Sequence, residues 1–239
     1  MARPRSSAVY ADFTNSSGAR TRWDIEVGAG TDEHGGSSLT IEPELSLRPG
    51  ARWELSVSAG WSDRTDSRQY VTSLDGGRAE TFGRRYVFAF VDRSEAYARV
   101  RLNYAFTPDL TLETYVEPFA SSGRFRRFGE LAAARSGDLL EYGTEAGTIV
   151  RNADGSRTVS VDGATFTLDD LGFNVRSLRS NLVLRWEWRP GSTAYLVWQQ
   201  DAFAERAAGR VRPGDVADAF GARGDHFLAL KVSYWLPVR

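Results

Sequence analysis

Apolar and polar residues alternate with a period of two along most of the chain, most cleanly from Arg52 to Ser62. There Trp53, Leu55, Val57, Ala59 and Trp61 fall on one side of an extended strand, with Glu54, Ser56, Ser58 and Gly60 on the other. Successive strand side chains point to opposite faces, so Trp53 and Trp61 share a face about 26 Å apart along the strand. At a strand tilt of about 40° that gap is roughly 20 Å along the sheet axis. Outer-membrane barrels show an outward apolar band of about 25 Å bounded by aromatic girdles. The same period groups Leu39, Ile41, Leu45 and Leu47; Ala98, Val100, Leu102, Tyr104 and Phe106; Leu182, Leu184, Trp186 and Trp188; and Leu228, Leu230, Val232, Tyr234 and Leu236.

The pattern predicts strands near residues 21–30, 38–47, 52–62, 67–74, 84–91, 95–106, 110–120, 174–189, 193–203 and 225–236. Tight connections are expected at Arg48-Pro49-Gly50, Thr107-Pro108-Asp109 and Arg189-Pro190-Gly191, because proline presets φ and glycine accepts a positive one. Longer polar connections, at 31–37, 63–66, 121–173 and 204–224, gather at the opposite end. Short turns on one side and long loops on the other is the outer-membrane asymmetry. The first two tight turns must be separated by an even number of strands. Counting the weak segment Gln69–Thr72 as a strand satisfies this and ends the chain on the short-turn side.

The expected fold is therefore all-β: an antiparallel meander transmembrane (outer-membrane) β-barrel, with about ten strands present as the C-terminal part of a larger barrel. Residues 1–20 are read as a disordered or incomplete segment and residues 21–239 as the barrel domain, with a long extracellular or plug loop at 121–173. Trp53, Trp61, Tyr104, Phe106, Trp186, Trp188 and Tyr234 are the expected aromatic girdle. The opposite faces carry a charged ladder of Glu42, Glu44, Arg52, Glu54, Arg99, Arg101, Glu113, Glu117, Arg185 and Glu187. In a narrow barrel such residues interlock as ion pairs, and in a wide one they line a water-filled path. A soluble β-sandwich would bury the indoles instead, but it needs a second sheet to cover these faces.

Composition neither supports nor opposes the membrane. With 41% apolar and 26% charged residues the chain resembles a soluble globule. It has no run of about 20 apolar residues for a transmembrane helix, whereas a barrel strand needs only about 9–11 alternating ones. Thirty basic residues against 31 acidic ones leave a net charge of −1, with no pull toward nucleic acid. The absence of cysteine removes disulfides and thiolate chemistry. Residues 1–20 lack the apolar core of a signal peptide, so an exported chain of this kind reads as a truncated precursor.

Catalytic and metal-binding patterns are sparse. His34 and His226 both fall at the long-loop ends of strands, where a hydrolase site at the extracellular rim could use one of them, yet no Gly-x-Ser-x-Gly elbow accompanies them. The glutamates spaced by two alternate with arginines on a regular ladder, which speaks for structure over glycosidase chemistry. Asn152-Ala153-Asp154-Gly155 lacks the distal glutamate of a calcium loop and is read as a turn within a hairpin. No metal, cofactor or catalytic residue is expected.

Several stretches carry a resemblance: Gly83-Arg84-Arg85-Tyr86-Val87-Phe88, Pro118-Phe119-Ala120-Ser121-Ser122-Gly123-Arg124, Glu130-Leu131-Ala132, Asn181 to Ser192, and Val232-Ser233-Tyr234-Trp235-Leu236. In order and over roughly residues 50–236, the chain resembles the C-terminal barrel domain of a bacterial family of unknown function. In that family a family 9-type carbohydrate-binding module precedes the barrel. The resemblance implies an outer-membrane location with membrane lipid and the barrel-insertion machinery as partners. It also implies a missing N-terminal part with signal peptide, carbohydrate-binding module and further strands, and it implies no reaction. Pro237-Val238-Arg239 departs from the pattern by running past the aromatic strand end.

Overall fold

The computed structural model describes residues 4–15, 18–207 and 209–236. In chain order its strands are β1 (Ser6–Thr14), β2 (Thr21–Asp32), β3 (Ser37–Gly50), β4 (Trp53–Asp75), β5 (Arg84–Thr107), β6 (Leu110–Leu131), β7 (Leu139–Glu141), β8 (Thr148–Arg151), β9 (Arg157–Val161), β10 (Ala164–Leu168), β11 (Phe173–Arg189), β12 (Ser192–Glu205) and β13 (Gly224–Ser233). Two short 3₁₀ segments, Ala79–Thr81 and Pro213–Gly221, complete the regular structure.

Nine strands form one antiparallel meander in the order β1-β2-β3-β4-β5-β6-β11-β12-β13, with β7 added beside the end of β6. β8, β9 and β10 form a separate three-stranded sheet. The all-β antiparallel expectation holds. The sheet is open: β1 and β13 are its two margins and are not paired with each other.

The segmentation differs from the expectation in an informative way. β4 is a single strand where two were expected at 52–62 and 67–74, and β5 is a single strand across both 84–91 and 95–106. The even count between the tight turns survives as two strands instead of four. The 76–83 connection consequently lies at the long-loop end. The apparent break at 63–66 arises because Asp63 continues the apolar face with a carboxylate. Bulges between Asp66 and Gln69, and between Tyr70 and Thr72, then shift the phase of the alternation. β6 likewise runs to Leu131, well into the expected 121–173 loop. Ser6–Thr14, in the segment set aside as disordered or incomplete, is the first strand of the meander. Pro237–Arg239 lie outside the described residues.

The three-stranded sheet is built around the expected hairpin. Arg151 pairs with Arg157 across residues 152–156, where Gly155 takes φ 88° and the Ser156 amide donates to the Asp154 carboxylate. Its apolar side joins Val159, Val161 and Leu168 to Val87 and Ala89 of β5, Phe128 of β6 and Tyr142 in one buried cluster. Val87 and Ala89 are odd-numbered on β5, as are Arg93, Glu95, Tyr97 and Arg99. By alternation the small sheet therefore docks on the side of the meander that carries the charges, at its long-loop end.

Candidate functional site

Directly paired residues of neighbouring strands share a face, so the register sorts the side chains of the meander. One row joins Trp23, Leu45, Val57 and Val100, and on to Val116. Another joins Leu112, Leu184, Leu196 and Leu230. Val9, Ala11 and Phe13 of β1 extend the same face beside Ala29, Val27 and Ile25. The result is a continuous apolar face across all nine strands, largely uncovered by the chain: Val9 is 74% and Leu230 70% exposed.

The short-turn end of this face gathers most of the aromatics singled out from sequence. Trp53 pairs directly with Tyr104, whose ring packs edge-on against Phe106 at 4.7 Å. Trp186 and Trp188 have ring centroids 6.1 Å apart, and Arg189 donates to the Tyr234 hydroxyl at 2.6 Å. Trp23, which sequence reasoning passed over, belongs to the same face and was legible from its alternation with Ile25 and Val27. Trp61 stands apart from the others, at the far end of the face, with its indole N–H 3.5 Å from the Val211 carbonyl.

Beyond Trp61 the apolar face ends in a row of polar residues. Asp63, Ser94, Ser122 and Asn174 are successive cross-strand partners. Residues 206–207 and 209–223 fold over this row as a strap. The Val211 amide donates to the Ser94 and Ser122 hydroxyls at 2.8 and 3.3 Å, Asn174 donates to the Ala207 carbonyl at 2.7 Å, Arg210 pairs with Asp63, and Arg176 lies 3.5 Å from Asp215. Val211 is 1% exposed. The strap thus satisfies polar groups that would otherwise interrupt the apolar face.

The opposite face carries the charged ladder. Arg99 donates to Glu117 at 2.9 Å, and Tyr115 donates to the same carboxylate. Arg101 lies over the Tyr115 ring at 5.3 Å, and the Tyr97 hydroxyl donates to Glu42 at 3.2 Å. Arg185 pairs with Glu187 along β11 at 2.7 Å. Arg52 sits in the turn before β4, and the partner of Glu54 is Arg48. Glu113 faces Asn103 and Val183, and Glu44 faces Asp24 and Ser58.

Where the small sheet meets the meander, a buried polar knot forms. Arg85 and Glu130, each 2% exposed, are joined at 2.5 Å; Arg85 also reaches Asp162 at 3.2 Å, and Tyr142 donates to Glu130 at 3.1 Å. Burial, reinforced by the Glu130 charge, pushes the Tyr142 phenol well above its ordinary range, so it stays protonated and remains a donor. Nothing in the local sequence announces this knot, because its members come from positions 85, 130, 142 and 162.

A family model described as "Domain of unknown function (DUF5916)" matches residues 3–239. The chain belongs to this family. No curated protein and no solved structure matches it. In this DUF5916 chain the two histidines lie in different settings. His34 sits in the β2–β3 turn, its amide bonded to Asp32 at 2.8 Å and its ring 3.8 Å from Glu33. His226 is a β13 residue stacked on Trp198 at 5.8 Å. Among the described residues no group of three or more acidic, histidine or cysteine side chains has the arrangement of a metal site.

Proposed function

We propose that the meander is part of the wall of an outer-membrane β-barrel, with its apolar face toward lipid and its charged face toward a lumen. In this reading the domain serves as an anchor or conduit in the bacterial envelope, with membrane lipid and the barrel-insertion machinery as its partners. The observation that carries it is the register, which collects the alternating apolar residues of nine strands into one face that the chain covers only under the strap at its long-loop end. Exposed apolar patches of more than a few hundred Å² are uncommon on soluble monomers. Aromatics at the short-turn margin, and a strapped polar row at the other, give that face two edges, as a bilayer-spanning band requires. The connection to carbohydrate binding or uptake through a preceding module rests on the family resemblance.

The small sheet on the charged side at the long-loop end is placed to narrow a lumen, a role known for inward-folded loops of such barrels. Detergent dependence tests the membrane reading. The refolded chain should partition into dodecyl maltoside micelles, keep its strand content there and migrate anomalously on gels until heated. A monodisperse, fully folded chain in detergent-free buffer overturns it and favours a soluble all-β binding domain.

A further inference from the structure

The two margins of the meander run in the same direction. Nine antiparallel strands make an odd number, so β1 and β13 both lead from the long-loop end to the short-turn end. β1 can therefore meet β13 only in parallel. Copies inserted in one membrane share one orientation, so β1–β1, β1–β13 and β13–β13 contacts between copies are parallel too. Every ladder within the meander is antiparallel, and parallel pairing is the weaker of the two per residue. Yet a sheet margin in hydrocarbon must be paired, because its unbonded amides and carbonyls cost several kcal/mol each.

The charged face beside β1 indicates what that partner carries. The register sets Asp24 opposite Glu44, Glu26 opposite Glu42, and Asp12 opposite Glu26. Like charges directly opposite each other destabilise a sheet. On the inner side β4 offers them only Ser56, Ser58, Gly60 and Ser62, and the Tyr97 hydroxyl reaches Glu42 alone. Arg22, beside Asp24, forms no salt bridge with any of them, and the next arginine along the row, Arg99, is engaged by Glu117. Among the described residues none of these five carboxylates is in a salt bridge. The open side of the cluster is the free margin of β1.

We propose that the outer margin of β1 receives one further antiparallel transmembrane strand with Lys or Arg on its polar side and apolar residues on the other. That strand runs from the short-turn end to the long-loop end, and is neither β13 nor a strand of a second copy. Main-chain hydrogen bonds to the free margin supply the pairing, and the basic side chains supply the counter-charge for Asp12 and Glu26. The setting rests on the membrane reading above, since only a shared insertion direction makes every copy–copy contact parallel.

The absence of cysteine makes the margin directly testable. The full chain with Ala11→Cys is placed in dodecyl maltoside micelles and oxidised with either of two nine-residue probes, one alternating Val with Lys and one Val with Glu, each with a central cysteine. The expected result is at least tenfold more capture of the Val-Lys probe, a reversed preference with Asp12→Lys/Glu26→Lys added, and no Lys preference at Leu230→Cys, which lies on the same apolar face of β13. Equal capture of both probes at Ala11→Cys overturns the proposal, as does an 11–230 bond in the chain with Ala11→Cys/Leu230→Cys or, after insertion into phosphatidylcholine vesicles where copies share one direction, a predominant 11–11 dimer. Failure of the chain to enter micelles overturns the membrane reading and this proposal together, whereas equal capture within micelles overturns this proposal alone.

Discussion

Gly60 and Arg85 show how single residues shape the charged face. A Cβ on Gly60 would lie 2.2 Å from the Tyr97 ring, so the glycine leaves room for a tyrosine to lie flat across β4 and reach Glu42. Alternation alone marks Gly60 as polar-face, but its pairing with Tyr97 depends on the β4–β5 register. Arg85 is the central member of the buried knot. Its removal leaves the Glu130 carboxylate buried with Tyr142 and with Arg78 at 3.6 Å as the remaining neighbours. Breaking one half of a buried ion pair costs about 3–5 kcal/mol, because the survivor keeps its desolvation penalty. Arg85→Met should therefore destabilise the docked small sheet by that amount. Arg85→Met/Glu130→Gln should recover part of it, read as the urea midpoint at which residues 139–168 become cleavable by protease. A single variant with an unchanged midpoint would show that the knot does not hold the sheet.

At the scale of elements, the small sheet stands or falls with the apolar cluster between it and β5–β6. Phe128 is 2% exposed at the centre of that cluster, and Arg157 lies over its ring at 4.5 Å. Truncating a buried phenylalanine costs about 3–5 kcal/mol. Phe128→Ala should release residues 139–168 while the meander persists, seen as selective protease cleavage between Ala132 and Asp138 with strand content retained. Simultaneous loss of both sheets would make them one cooperative unit. The Asn152–Ser156 turn of this element was legible from sequence because turn chemistry is local, and its docking was not, because Val87 and Val159 meet only through tertiary contact. The same distinction explains β4 and β5. Their lower halves alternate cleanly, whereas their upper halves carry Asp63 and Ser94 where the apolar face would continue. Those residues are satisfied by a strap more than 100 residues away in sequence, so each long strand read as two. β1, by contrast, was legible in Val9, Ala11 and Phe13, but its short alternation was outweighed by its place at the start of the chain.

For the molecule as a whole, bilayer and soluble readings differ in how a charge should be tolerated with depth along the apolar face. Val100 stands at mid-face, between Val57 and Val116, whereas Phe106, on the same side of the same strand, lies at the short-turn margin and is 45% exposed. In a bilayer a lysine at the lipid-facing midplane costs about 2–4 kcal/mol and one near the interface about 0–1 kcal/mol. Val100→Lys should thus destabilise strongly and Phe106→Lys weakly. Ser58→Lys, on the charged face, should fall within about 0.5 kcal/mol of the parent, as surface changes commonly do. Urea unfolding from phosphatidylcholine bilayers reads all three. A soluble sandwich would place Val100 in a protein core, and its lysine penalty would then be the same in detergent-free buffer as in lipid. A mid-face penalty that appears in bilayers and shrinks steadily toward the short-turn margin follows only if hydrocarbon, and not a second sheet, covers this face.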